Sequence, residues 1–108
     1  MYLKRYTLTA LEVRQTEIFA RWFAQLRDRQ VRARILVRIR RASLGNLGDV
    51  RSVGGGVVEL RVEYGPGYRI YCTRLVDAAL VLLSAGDKRT QARDIERARR
   101  LARDLREE

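Results

Sequence analysis

The stretch ELRVEYGPGYRIYC, residues 59–72, sets Glu59, Arg61 and Glu63 before a Gly-Pro-Gly turn, and Arg69 and Tyr71 after it. In two alternating strands these five side chains share one face, because successive residues of a strand point to opposite sides. A guanidinium is a planar fork that matches phosphate or carboxylate in bidentate fashion, so paired arginines on a sheet face suit an anionic ligand. Other chemistries are scarce in this chain. It has no histidine and one cysteine, Cys72, which removes the commonest general base and leaves no basis for a disulfide or a zinc cluster.

The elements that must position these residues follow from the alternation. Closing the hairpin with the three residues Gly65, Pro66 and Gly67 puts Tyr64 opposite Tyr68, Val62 opposite Ile70 and Leu60 opposite Cys72 on an apolar face. The other face then pairs Glu63 with Arg69, Arg61 with Tyr71 and Glu59 with Thr73. A slip of one residue would bury the charges, so the pattern protects its own alignment of faces. Glu63 against Arg69 is also an ordinary cross-strand ion pair worth ~0.2 to 1 kcal/mol. Tyr64, Tyr68 and Cys72 read as core or rim.

Upstream, YLKRYT at residues 2–7 predicts a short strand, and Thr9 to Glu12 (TALE) has the form of a capping box from which a helix starts. Leu11, Ile18, Phe19, Trp22, Phe23 and Leu26 recur at helical spacing as its apolar stripe. After a break near Asp28 a second helix carries Val31, Ile35, Ile39 and Ala42 inward and stops at Gly45. Its other face bears Arg29, Arg32, Arg34, Arg38, Arg40 and Arg41, either a solvated helix face or a binding surface. Residues 45–56 form a loop-rich stretch with an edge strand around Val50 to Val53, and the triple glycine at 54–56 reads as a flexible connection. Ala78 to Ser84 is nearly continuous in apolar character, as a strand covered on both faces would be. Residues 90–105 predict a last helix with a narrow stripe of Ile95, Ala98, Leu101, Ala102 and Leu105, and hence a weakly held one.

The 108 residues suit a single domain, 1–108, and with 46% hydrophobic residues they can build a core. The formal net charge of +10, with all but two of the 23 basic residues arginine, points to a polyanionic or acidic partner. No signal-like apolar run and no stretch near the ~18 to 20 apolar residues of a membrane span is evident, so a cytoplasmic protein is expected.

The blocks LRDRQVRARILVRIRRASLGNLGDVRSVGGGVVELRVEYGPGYRIY and LLSAGDKRTQARDIERA resemble the RelE/ParE superfamily of toxins from toxin–antitoxin modules, closest to its HigB-like addiction module killer proteins. The ELR, GPGYR and GDK elements come in the family's order. The resemblance implies an α+β fold: a small antiparallel sheet packed on two N-terminal helices with a C-terminal helix, its opposite sheet face forming a concave basic site for messenger RNA on the ribosome. It implies a metal-independent endoribonuclease without cofactor, neutralised in a hetero-oligomer by a cognate antitoxin protein, with no membrane partner. By the same resemblance Arg69 clamps the scissile phosphate, Lys88 is a second cation oriented by Asp87, and Tyr71 or Glu59 carries the proton. Arg61, Arg38, Arg41 and Arg89 would be RNA contacts. Asp87 can equally cap the last helix. Glu59 stands where RelE-type members tend to carry lysine, and no tyrosine follows Tyr71. Two other functions fit the same residues: a non-enzymatic ParE-like poison of DNA gyrase, and a basic nucleic-acid-binding module.

Overall fold

The computed structural model describes residues 11–75 and 79–107. The expected strand at residues 2–7, and Thr9 of the expected capping box, lie outside them. The described elements are β1 (Glu12–Gln15), α1 (Glu17–Ala24), α2 (Arg29–Ser43), β2 (Val50–Gly54), β3 (Val57–Val62), β4 (Tyr68–Leu75), β5 (Ala79–Asp87), a 3₁₀ turn (Lys88–Thr90) and α3 (Gln91–Arg106). The fold is α+β. One five-stranded sheet has the order β1-β5-β4-β3-β2, antiparallel throughout except for β1, which lies parallel to β5 from Glu12↔Ala79 to Gln15↔Leu82.

The first helix does not start at the TALE motif. Glu12 belongs to β1, and the cap is Thr16, whose hydroxyl accepts from Phe19 N at 3.1 Å. The local cap signal lost to a tertiary one, because β5 offers an edge on which residues 12–15 satisfy their backbone groups. The same Thr16 hydroxyl donates to Leu83 O at 2.6 Å, and its N–H donates to Leu82 O at 3.0 Å. Leu83 is the extra residue of a bulge, since Tyr71 pairs with Ser84 and Cys72 with Leu82. The bulge thus presents the carbonyls that anchor α1. Asp28 caps α2 as expected, accepting from Gln30 N at 2.8 Å.

Both helices cover one sheet face. Phe19, Val31, Ile35, Ile39 and Ala42 bury against Leu60, Val62, Ile70, Cys72, Leu80, Leu82 and Ala85. Trp22 meets Tyr68 edge-on with ring centroids 6.2 Å apart, which ties the start of β4 to α1.

The hairpin register differs from the expected one by two residues. Val62 pairs with Tyr68, Arg61 with Arg69, Leu60 with Ile70 and Glu59 with Tyr71. The loop is therefore five residues, 63–67, closed by Gly67 N–H donating to Tyr64 O at 3.1 Å. A shift of two keeps each side chain on its face, which is why the face assignment survived while the pairs did not. The triple glycine is no slack connector. Gly55 and Gly56 have φ of 65° and 78°, the paired positive values that a tight two-residue hairpin turn between β2 and β3 requires.

The second sheet face is not left open. α3 packs Ala98 and Ala102 onto Val57, Tyr71, Val81 and Leu83, with Ile95, Leu101 and Leu105 at the margin. Small residues on the stripe let the helix come close, and both ends are tied, by Gln91 to Glu59 at 2.8 Å and by Arg106 to Gly55 O at 2.9 Å. A narrow stripe therefore makes a seated helix.

Thr16→Val keeps the side-chain shape but strands Phe19 N–H and Leu83 O together. It should cost about 1–2 kcal/mol and lower the melting temperature by several degrees, whereas Thr16→Ser should recover most of the loss in a thermal melt.

Candidate functional site

Across the sheet, Arg61 of β3 lies opposite Arg69 of β4, which lies opposite Gly86 of β5; the adjacent row is Glu59, Tyr71 and Ser84. Two like charges directly opposed on a sheet repel. Glu59 resolves the conflict. Fully buried, its Oε1 lies 3.3 Å from Arg61 Nε, 3.8 Å from Arg51 Nε and 3.9 Å from Arg69 Nε. Its Oε2 accepts from Tyr71 Oη at 3.1 Å and from Gln91 Nε2 at 2.8 Å.

Burial alone would push the Glu59 carboxyl up, but hydrogen bonds from Gln91, Arg61 and Tyr71 and the field of Arg51 outweigh it, and the group is held below its ordinary value. It is a carboxylate at neutral pH. Burial, reinforced by that carboxylate, pushes the Tyr71 phenol well up, so Tyr71 stays protonated and acts as a donor. Burial likewise raises the Cys72 thiol to about 12, which leaves it an inert core residue.

Arg69 is 4% exposed, with Nη1 donating to Tyr68 O at 3.2 Å and lying 3.6 Å from Glu63 Oε1. The Glu63 contact expected across the strands exists, but on a diagonal. Among the described residues Arg69 Nε has no hydrogen-bond partner, and neither has the buried Ser84 Oγ one row away. At the rim, a Cβ on Gly67 would stand 3.6 Å from Arg69 Nη1 and 3.9 Å from Lys88 Cβ, so the bare glycine separates the two cations. Lys88 is exposed and, among the described residues, makes no ion pair.

Asp87 does not orient Lys88. It caps the 3₁₀ turn, accepting from Arg89 N at 2.8 Å, and pairs with Arg89 Nη2 at 2.9 Å. The Arg89 hydrogen bonds hold the Asp87 carboxyl below its ordinary value. Arg89 is highly exposed beside Lys88. Arg38 and Arg41 belong instead to α2, on the other side of the sheet. Arg38 is committed to the backbone, donating to Arg61 O at 2.9 Å, to Asp49 O at 2.8 Å and to Leu47 O, so it staples α2 to the sheet and the loop before β2. Arg41 is exposed.

The hairpin residues thus come together as read, with Lys88 and Arg89 beside them, while the expected open face is roofed by the first turn of α3. Gln91, Arg51 and the Thr90–Asp94 hydrogen bond were missed. Their nearest signal is Gly86, where any Cβ would collide with Asp94, so the glycine of AGDK marks where α3 lands.

The fold and site define a small basic α+β protein whose sheet carries guanidiniums organised by one buried carboxylate. The profile of phage-derived protein Gp49-like (DUF891) matches residues 21–104, and the chain belongs to that family. It is also 39% identical over 95 residues to an uncharacterized protein of Haemophilus influenzae, spanning 88% of this chain and 96% of that protein. No helix among the described residues is long and apolar enough to cross a membrane.

Glu59→Gln leaves three guanidiniums around a neutral amide and should cost about 3–5 kcal/mol at neutral pH. Because the folded-state value is depressed, the carboxylate's contribution is complete above about pH 4.3 and fades as pH falls through the folded-state value. Urea titrations of both proteins should therefore show a stability gap that is constant near pH 7 and narrows in acid.

Proposed function

We propose that this protein is the toxin of a type II toxin–antitoxin module, a cytoplasmic endoribonuclease that cuts messenger RNA on the ribosome and is held in check by an antitoxin protein. Membership of the Gp49-like family is consistent with a toxin of this kind. The observation that carries the catalytic reading is the placement of Arg69 and Lys88 on either side of Gly67 at the hairpin rim, with Arg61 opposite Arg69 across the strands.

Cleavage without a metal needs three things: charge stabilisation on the phosphate, a proton acceptor for the attacking 2′-hydroxyl and a donor for the leaving 5′-oxygen. Lys88 and Arg69 bind the phosphate oxygens, and Arg61 and Arg89 contact neighbouring phosphates. As the 2′-oxygen bonds to phosphorus, the bond to the 5′-oxygen breaks and a 2′,3′-cyclic phosphate forms. Protonated Tyr71 is the candidate donor and ionised Glu59 the candidate acceptor, and both become reachable when the first turn of α3 lifts and Gln91 releases Glu59. Arg38, engaged with three carbonyls, supports the RNA-facing surface from behind, and Arg41 extends the basic surface along α2.

The complete burial of Glu59 and Tyr71 favours the second reading, a ParE-like poison of DNA gyrase that works through its surface without cutting RNA. The two readings part in a single experiment. Induced wild type should arrest growth and produce new mRNA 5′ ends phased to codons, and Lys88→Ala, at an exposed position that leaves the fold intact, should reduce the cuts about 10²–10³-fold. Arrest with a DNA-damage response and no new 5′ ends would replace the endoribonuclease with the gyrase poison.

A further inference from the structure

Behind the hairpin lies a second built feature. A groove of about 710 Å³ runs between α2 and the segment leading into β2, floored by the end of β3. Four arginines, Arg29, Arg34, Arg41 and Arg61, line it together with the Arg38 staple, against Asp49 and Glu63 as the acidic lining among the described residues. Its walls are fixed. The Arg34 guanidinium stacks 4.2 Å over the Tyr64 ring, and Arg38 locks the carbonyls of Arg61 and Asp49.

Exposed aliphatic side chains adjoin the groove. Val37 in its wall is 49% exposed; outside it, Leu44, seven residues on, is 53% exposed and Leu47 is 41% exposed. Val37, Arg41 and Leu44 follow helical spacing, so apolar and cationic groups share one stripe of α2. Aliphatic side chains give nothing to a phosphate backbone, and sites for single-stranded RNA rely on aromatic platforms for base stacking. Among the described residues no aromatic side chain lines this groove, and the nearby Tyr64 ring already carries Arg34.

We infer that this groove is a protein-docking surface for an acidic amphipathic segment of a partner, with its carboxylates on Arg29, Arg34 and Arg41 and its apolar side chains on Val37, Leu44 and Leu47. Charge complementarity selects the partner's sign and speeds encounter, while the aliphatic contacts select protein over nucleic acid. Such a segment would abut Arg61 and Glu63, which reach the Glu59 and Arg69 side chains, so occupancy of the groove communicates directly with the hairpin site. The inference names the docking face of the antitoxin if the toxin reading holds, but the groove's chemistry does not depend on RNA cleavage.

The test uses the full chain and a fluorescein-labelled synthetic peptide with leucines at helical i, i+3, i+4 and i+7 spacing and glutamates between them, followed by anisotropy, with a uridine oligonucleotide as competitor. The peptide should bind saturably. Val37→Asp and Arg41→Glu, each shown folded by circular dichroism, should weaken it at least about tenfold; Lys88→Ala should leave it unchanged, and oligouridine should not displace it. Loss of binding in Lys88→Ala but not in Val37→Asp would move the peptide to the hairpin rim and overturn the inference. So would displacement by oligouridine with no effect of Val37→Asp, which would make the groove a nucleic-acid site. A concentration-dependent dimer dispersed by Val37→Asp would make it a self-interface, and absence of saturable peptide binding would remove it as a docking surface. None of these outcomes depends on mRNA cleavage, so failure here and failure of the toxin reading are told apart.

Discussion

The buried carboxylate of Glu59 is the interaction on which the arrangement of the sheet depends. Arg61 and Arg69 are forced opposite each other by the β3–β4 register, and without an anion between the rows that register would set two guanidiniums in mutual repulsion. Glu59 supplies the anion, and its five partners satisfy it: three guanidiniums, the Tyr71 phenol and the Gln91 amide. An ion cluster of this depth adds little net stability over an apolar core, but removing the carboxylate leaves the buried Arg69 guanidinium and Tyr71 phenol without their anion. Its effect is to specify geometry: it holds the arginine side chains in one arrangement and gives α3 a polar landing point.

That landing point explains how one sheet face serves two purposes. Towards the β2–β3 turn the face is apolar, with Val57, Tyr71, Val81 and Leu83 under Ala98 and Ala102. Towards the β3–β4 hairpin it is charged, and α3 reaches it only with Gln91 and the Thr90–Asp94 pair. The helix is anchored by packing along its length and by hydrogen bonds where it meets the charged half. Lys88, Arg89 and Glu63 stay at the rim in water, while Arg69 spans from the rim to the buried row. The basic groove beside α2 and the charged rim are joined through Arg61, whose backbone carbonyl accepts from Arg38 and whose side chain reaches Glu59.

Much of this was legible along the chain. Alternation in residues 59–72 assigns every side chain of the hairpin to its correct face, and the stripe of Val31, Ile35, Ile39 and Ala42 is the buried face of α2. Asp28 and Gly45 mark that helix's ends because capping is a local interaction. The start of α1 was misplaced because a capping box at Thr9 and a lone cap at Thr16 differ only in what lies across from them, and what lies across Thr16 is the bulge of β5, 67 residues away. The hairpin pairing was misread for a related reason: glycines on both sides of Pro66 permit a three- or a five-residue loop, and both give the same two faces.

The sequence by itself determined α2, the hairpin strands, the last strand and the last helix, the parity of the hairpin strands and the presence of an arginine-rich sheet face, since these follow from periodicities of two and 3.6 residues and from local capping. Only the tertiary structure decided that Glu59 is the centre of that face, that α3 roofs it, and that Arg38 is a staple while Gly67 stands between Arg69 and Lys88. Those outcomes depend on contacts between residues such as Glu59 and Gln91, 32 positions apart, where burial and charge balance are set by which surfaces meet. A charge pattern states which groups a chain carries; their protonation and their partners are settled when packing removes the water between them.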